Sequence, residues 1–278
     1  MFGEVGARPH PKLGMMIARA SFIRIMSRLF SFHRKHGEQT LAFGIEPATC
    51  KYPLRLARYP ALAECIQREV ARKGTLKLLD VGCGIGKLKR CCPFPGVGFT
   101  GIDARRAPLE IALQSAYRHV LQSNLVEGLP FRDETFDVLV CSHVLEHLPQ
   151  PENLVREARR VLRREGVLLV GVPMSWWWTR WLRIHLLPVV VPRKRPEALA
   201  ANLGHVSFFT MSSLRALLSG FEIEDVRGFR FFSSRHLPLE NWWWYYRLNT
   251  MWGRAFPRLT SEVNVVARKT SGLRPFSD

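Results

Sequence analysis

The sequence has no apolar run that could cross a bilayer uncharged. Its longest greasy stretch, Met15 to Phe32, is broken by Arg19, Arg24 and Arg28, whereas a spanning helix needs about 20 predominantly apolar residues. The first residues do not read as a secretory signal with a small-residue cleavage site. None of the six cysteines (Cys50, Cys65, Cys83, Cys91, Cys92 and Cys141) forms a C-x-x-C pair. No zinc or other metal site is therefore expected, and a reducing, cytoplasmic setting is. Internal repeats and low-complexity tracts are also missing, which excludes a solenoid. Acidic residues are scarce, 23 Asp and Glu against 41 Lys and Arg, leaving a net charge of +18.

That charge is uneven. Residues 1–74 carry a balance of +8, residues 75–174 only +2, and residues 175–278 again +8. The middle is nearly neutral and the flanks are basic, which speaks to partners and not to fold. Tryptophan is equally skewed. All eight lie at or beyond Trp176, in two triplets (Trp176–Trp178 and Trp242–Trp244) plus Trp181 and Trp252. Three consecutive side chains cannot all face one core, so exposure of some rings is expected. On a helical wheel, Ala18, Phe22, Ile25, Met26, Leu29, Phe30 and Phe32 share an arc opposite Arg24, Ser27, Arg28, Ser31 and Lys35, with Arg19 the main exception. That is a basic amphipathic helix, suited to a membrane surface or to capping a domain.

The 278 residues fit one large domain with an added cap. We divide them into a basic helical extension at 1–74 and a main domain at 75–278, with an insertion at about 175–204. Ala61–Lys73 reads as a helix. An alternation of strands and helices follows: strands at Leu76–Val81, Gly98–Ile102, Phe136–Cys141 and Gly166–Val172, helices at Ala107–Ala116 and Glu152–Arg164. This pattern means a parallel α/β sheet. Beyond the insertion, Thr210 is placed to cap a helix over Ser212–Leu218, and two last strands fall near Glu222–Gly228 and Glu262–Arg268.

The first strand ends in Asp80-Val81-Gly82-Cys83-Gly84-Ile85-Gly86. Glycines there let the backbone turn sharply and approach a ligand. The turn alone would also suit a nicotinamide enzyme. A dinucleotide fingerprint, however, needs its third glycine at position 87, which is Lys87. Asp103 ends the second strand, 19 residues after Gly84, where a carboxylate can accept from both hydroxyls of an adenosine ribose. Two further stretches are informative: Asn124-Leu125 through Phe136-Asp137, and Cys141-Ser142-His143-Val144-Leu145-Glu146-His147.

Together these residues, from about Leu76 to Pro173, resemble the class I S-adenosylmethionine-dependent methyltransferases, and within them the quinone-biosynthesis and small-molecule branch. The resemblance implies a Rossmann-like, seven-stranded, mostly parallel sheet in the order 3-2-1-4-5-7-6, with helices on both faces. The insertion would follow strand 5. It also implies S-adenosylmethionine as cofactor. Asp80, Gly82, Cys83, Gly84 and Gly86 would shape the turn that holds its methionine part. Asp103, with Ala104, would bind the ribose; Asn124 and Leu125 would flank the adenine; and Ser142 and His143 would lie beside the transferred methyl. The family more often has Asp at position 124, and Asn accepts there with less charge assistance.

The sulfonium makes the methyl group electrophilic, so the protein must mainly hold the acceptor in line and remove water. A base is needed only for an acceptor that loses a proton, and the candidates are His143, Glu146 and His147, the last two on a helix packed near the cofactor, and His205 at the end of the insertion. The insertion mixes Trp176–Trp178, Trp181 and Leu186–Val191 with Arg180, Arg183, Arg193, Lys194 and Arg195. Rings at the acyl boundary with cations at the headgroups describe an interfacial segment. The leading reading is therefore a peripheral enzyme at the inner face of a membrane, using Met15–Phe32 and Trp176–Arg195 to reach a small, lipophilic or lipid-linked acceptor. The insertion could instead be a lid that buries its Trp over a small hydrophobic substrate with no membrane, and two alternatives of function remain. The first is a tRNA or rRNA methyltransferase, with basic flanks on phosphates and Trp rings on bases; the absence of a Pro-Cys dipeptide and of an Asn/Asp-Pro-Pro-aromatic motif narrows it to other positions. The second is a catalytically inactive module that keeps only the cofactor fold.

Overall fold

The computed structural model describes residues 57–114, 117–174, 204–230 and 243–270. The amphipathic stretch Met15–Phe32, the insertion up to residue 203 (with Trp176–Arg195) and Trp242 lie outside the described residues. The elements are α1 (Arg58–Lys73), β1 (Leu76–Val81), α2 (Lys87–Arg90), β2 (Val97–Asp103), α3 (Arg106–Gln114), β3 (His119–Gln122), β4 (Phe136–Ser142), α4 (Pro151–Val161), β5 (Leu162–Pro173), α5 (Met211–Leu217), β6 (Glu222–Phe229), α6 (Trp243–Ala255) and β7 (Glu262–Arg268). Short 3-10 turns occupy Leu125–Glu127, Leu145–His147 and Pro257–Leu259.

The seven strands form one sheet in the order β3-β2-β1-β4-β5-β7-β6. The first five are parallel, and β7 runs antiparallel to both β5 and β6. This is the order the sequence resemblance implied. The central strands are apolar on both sides because helices cover both faces. One core layer joins Leu79, Val81, Leu139 and Val170 to α4 and α5 through Leu154, Ala158 and Leu214. The other joins Leu78, Val138, Val140 and Leu169 to α1 through Leu62, Ala63 and Ile66. Each such side chain contributes about 1.5–3 kcal/mol by leaving water. Helix α1, inside the segment read as an N-terminal extension, is thus part of the sheet's own packing.

Three elements differ from the sequence reading. The strand at Phe136 is the fourth, because His119–Gln122 pairs with β2 as an edge strand. It is mostly exposed, so no apolar face announced it. The helix expected to reach Arg164 stops at Val161, and Leu162 instead pairs with Phe136 before the register jumps to Val138–Val167. Apolar Leu162 satisfies either period, so only the strand neighbour decides. Glu146 and His147 sit on a 3-10 turn and not on a long helix. The expected cap of α5 is present: the Thr210 hydroxyl accepts from Ser213 N–H in a reciprocal capping box.

Candidate cofactor and acceptor site

The ends of β1, β2 and β4 converge on one edge of the sheet. After β1 the chain turns through Gly82, Gly84 and Gly86, all at positive φ (70°, 51° and 77°). Gly82 N–H and Cys83 N–H both donate to the Ile102 carbonyl, at 2.7 and 3.1 Å, which ties the turn to β2. A Cβ on Gly82 would lie 2.3 Å from Val144 Cγ2, so that position is closed by packing. A Cβ on Gly84 would meet nothing within 4 Å, so that face of the turn is open.

Asp103 fastens this arrangement. Its carboxylate accepts from Gly84 N–H at 3.0 Å and from Arg105 N–H at 2.9 Å. Each oxygen keeps further lone pairs for a ligand hydroxyl. Asp80 is also buried, and Tyr117 Oη donates to it at 2.5 Å. Burial pushes the Asp80 carboxyl up to about 7; the Tyr117 hydrogen bond works against that shift and the nearby Asp103 charge adds to it. Two buried acids beside an open glycine turn form a site that favours a cationic ligand. Cys83 places its sulfur inward against Gly101, and burial pushes its thiol up to about 12, so only its backbone belongs to the turn. Ala104 is exposed beside Asp103 and accepts from Gln122 through its carbonyl.

Asn124 is exposed and caps the first 3-10 turn, accepting from Val126 N–H at 3.2 Å and donating to Glu127. Leu125 behind it is buried. The loop that follows is held by α4. Arg160 donates to the carbonyls of Leu129 and Phe131, and Glu157 accepts from Leu129 N–H.

After β4 the chain reaches His143 in the left-handed region, φ 59°. Its Nε2 lies 2.8 Å from Glu262 Oε1 on β7, and its Nδ1 lies 3.1 Å from Glu146 Oε1. The second contact has ion-pair distance without hydrogen-bond alignment. Arg58 at the start of α1 also reaches Glu262, at 3.3 Å. Burial opposes a charge on His143, yet the Glu262 and Glu146 carboxylates outweigh it and raise its pKa above the ordinary value. The same cluster holds Glu262 down to about 2 despite its burial. Ser142 has a buried hydroxyl with no partner among the described residues.

His147 and His205 come together although 58 residues separate them. Their rings meet edge to face at 4.9 Å, and His147 Nδ1 is 2.9 Å from the Gly204 carbonyl. Glu146 joins them, with the ligand atoms of all three within 4.8 Å of one another. His205 is half-buried, and burial lowers its pKa. Sequence reasoning missed Arg58, Tyr117 and Glu262. All three act across long sequence separations, and no spacing marked them.

Residues 79–170 match the family described as methyltransferase domain. Within this stretch the chain carries a methyltransferase domain. That domain is 36% identical over 115 residues to the ubiquinone biosynthesis O-methyltransferase of Pseudomonas putida strain F1, covering 38% of this chain and 48% of the relative. It is 36% identical over 123 residues to the enzyme of the same name from Haemophilus ducreyi, covering 41% and 50%. The chain thus spans about half the length of these curated relatives. Among solved structures, the chain is similar in fold to magnesium protoporphyrin IX methyltransferase from Synechocystis PCC 6803 with bound SAH. The TM-score is 0.51 at 15% identity, over 78% of this chain and 85% of that one. A SAM-dependent methyltransferase from Thermotoga maritima gives 0.50 at 20% identity, over 70% and 83%. These likenesses concern the fold. Among the described residues no helix is long and apolar enough to cross a membrane.

Proposed function

We propose that the protein transfers a methyl group from S-adenosylmethionine to a hydroxyl of a small, lipophilic or lipid-linked acceptor. One observation carries this reading: Asp103 clasps the Gly84 amide beneath an open turn, with a second buried acid, Asp80, alongside. In this reading the turn at Gly82–Gly86 and Asp80 hold the cationic methionine end, Asp103 and Ala104 hold the ribose, and Asn124 and Leu125 flank the adenine. When bound, the sulfonium supplies the electrophilic methyl. The names of the curated relatives support a hydroxyl as acceptor and a quinone-like ring as its carrier.

The protein's own part is orientation and one proton. His143 lies between the Glu262 and Glu146 carboxylates, which raise its pKa against its burial and favour its charged form, so it is a poor base for the acceptor. His205 is the better base: its pKa is lowered by burial, so it is neutral when the acceptor hydroxyl needs to lose its proton. His147 holds the loop at Gly204.

Calorimetry with S-adenosylmethionine tests the cofactor claim, and no heat of binding at millimolar ligand sinks it. Radiolabelled methyl transfer to a prenylated catechol, with bulk tRNA as the comparison, tests the acceptor. Label in the RNA alone replaces the small-molecule reading, and binding without any transfer favours an inactive module.

A further inference from the structure

Helix α6 is inside out. Its sheet-facing side presents Tyr245, Asn249 and Gly253, all buried. Gly253 lies so close to the Gly228 backbone that a Cβ there would meet the Gly228 carbonyl at 1.8 Å. Its outer side presents Leu248, Met251 and Trp252, exposed by 40%, 62% and 42%. Phe256 and Leu259, on the turn that follows, continue the same strip, and Trp252 stacks on Phe256 at 5.1 Å between ring centroids. An ordinary surface helix keeps its apolar stripe inward and its polar residues outward. Five large exposed apolar residues within twelve positions form a contiguous patch that calls for a partner.

The rim tells which partner. Arg247, Arg254 and Arg258 are exposed along one side of the strip; Arg254 reaches Glu64 of α1 at 3.4 Å, and residues 243–261 themselves contain no Asp or Glu. A second copy of the chain would bring these arginines against their own kind. A surface with exposed Trp and Phe beside a row of cations matches an anionic bilayer, with rings at the acyl boundary and guanidinium groups at the phosphates. The strip also ends beside the site. Leu259 is three residues before Glu262, whose carboxylate meets His143.

We propose that the outer face of α6 and the turn Pro257–Leu259 dock the protein on an anionic membrane, with the acceptor side of the sheet turned toward the lipid. This rests on the proposed lipophilic acceptor for its purpose but on the patch alone for its existence.

The test is flotation of the full chain with vesicles containing phosphatidylglycerol, against pure phosphatidylcholine. The wild type should float with the anionic vesicles and be released by salt. Met251→Asp should cut the floated fraction by about fivefold or more, since it places a charge at the acyl boundary. Trp252→Phe keeps an apolar ring and should float normally, while losing part of the tryptophan quenching given by brominated acyl chains. Unchanged flotation of Met251→Asp, or no change of quenching in Trp252→Phe, overturns the proposal. So does a wild-type dimer that Met251→Asp dissociates, which would make the face a self-interface. S-adenosylmethionine binding by Met251→Asp, followed by calorimetry, should equal that of the wild type. Loss of docking with binding intact therefore separates this surface from the cofactor reading.

Discussion

Glu262 on β7 and His143 after β4 are 119 positions apart and meet at 2.8 Å. The contact joins the antiparallel end of the sheet to the loop that follows the central strand. Arg58 adds a third element, α1, through the same carboxylate. Replacing Glu262 by Gln removes the charge and leaves Arg58 and His143 facing each other across 3.3 Å. Breaking a buried pair on one side costs about 3–5 kcal/mol. The expected result is a lower melting temperature and a His143 imidazole that titrates at lower pH by NMR. An unmoved His143 titration would show that Glu262 does not set its charge.

Asp103→Asn removes the charge that anchors Gly84 N–H while keeping the shape. Hydrogen bonds to a charged group are worth about 1.5–3 kcal/mol, so affinity for S-adenosylmethionine should fall by about tenfold or more in a calorimetric titration. Equal affinity would displace Asp103 from the ribose role.

The raised Asp80 carboxyl gives a pH dependence with a definite sign. Its folded pKa of about 7 stands above the ordinary 3.8, so the folded state holds this proton more tightly than the unfolded chain. The contribution to stability is fully present below about pH 4 and is lost as pH rises toward 7. Denaturant midpoints of the ligand-free protein should show this loss, and Asp80→Asn should flatten it. A cationic ligand reverses the preference, so S-adenosylmethionine should bind the wild type more tightly at pH 8 than at pH 6.

Gly82→Ala tests the closed side of the turn. A left-handed backbone costs a non-glycine residue about 1–2 kcal/mol, and the new methyl would strike Val144 Cγ2 at 2.3 Å, adding about 1–3 kcal/mol of overpacking. Stability should drop by about 2–5 kcal/mol in a urea melt. A change below about 0.5 kcal/mol would mean that the turn relaxes freely.

His205→Ala should lower the maximal rate by about 10²–10⁴ with cofactor affinity unchanged, since general-base contributions have that size. In the wild type the acidic limb of the rate profile should lie below 6.5, because burial lowers this imidazole. A full rate without His205 would leave proton removal to solvent or to the acceptor itself.

The strand order came with the family resemblance, but the sequence by itself determined most of the strands and the glycine turn after β1. Both are local: strand-length apolar runs, glycines at fixed offsets and Asp103 at a strand end each declare themselves within a few residues. It also isolated the charge and the tryptophans from the middle of the chain, because composition needs no structure. The edge strand His119–Gln122 escaped because it buries no face, and the end of α4 escaped because Leu162 fits either period. The chemistry around the acceptor was decided only by tertiary structure. His143, His147 and His205 look alike in sequence. What separates them is Glu262 arriving from β7, Gly204 arriving from the far side of the insertion and the burial each ring meets. Those neighbours come from contacts across 57 to 119 positions, and no local pattern encodes a contact at that range.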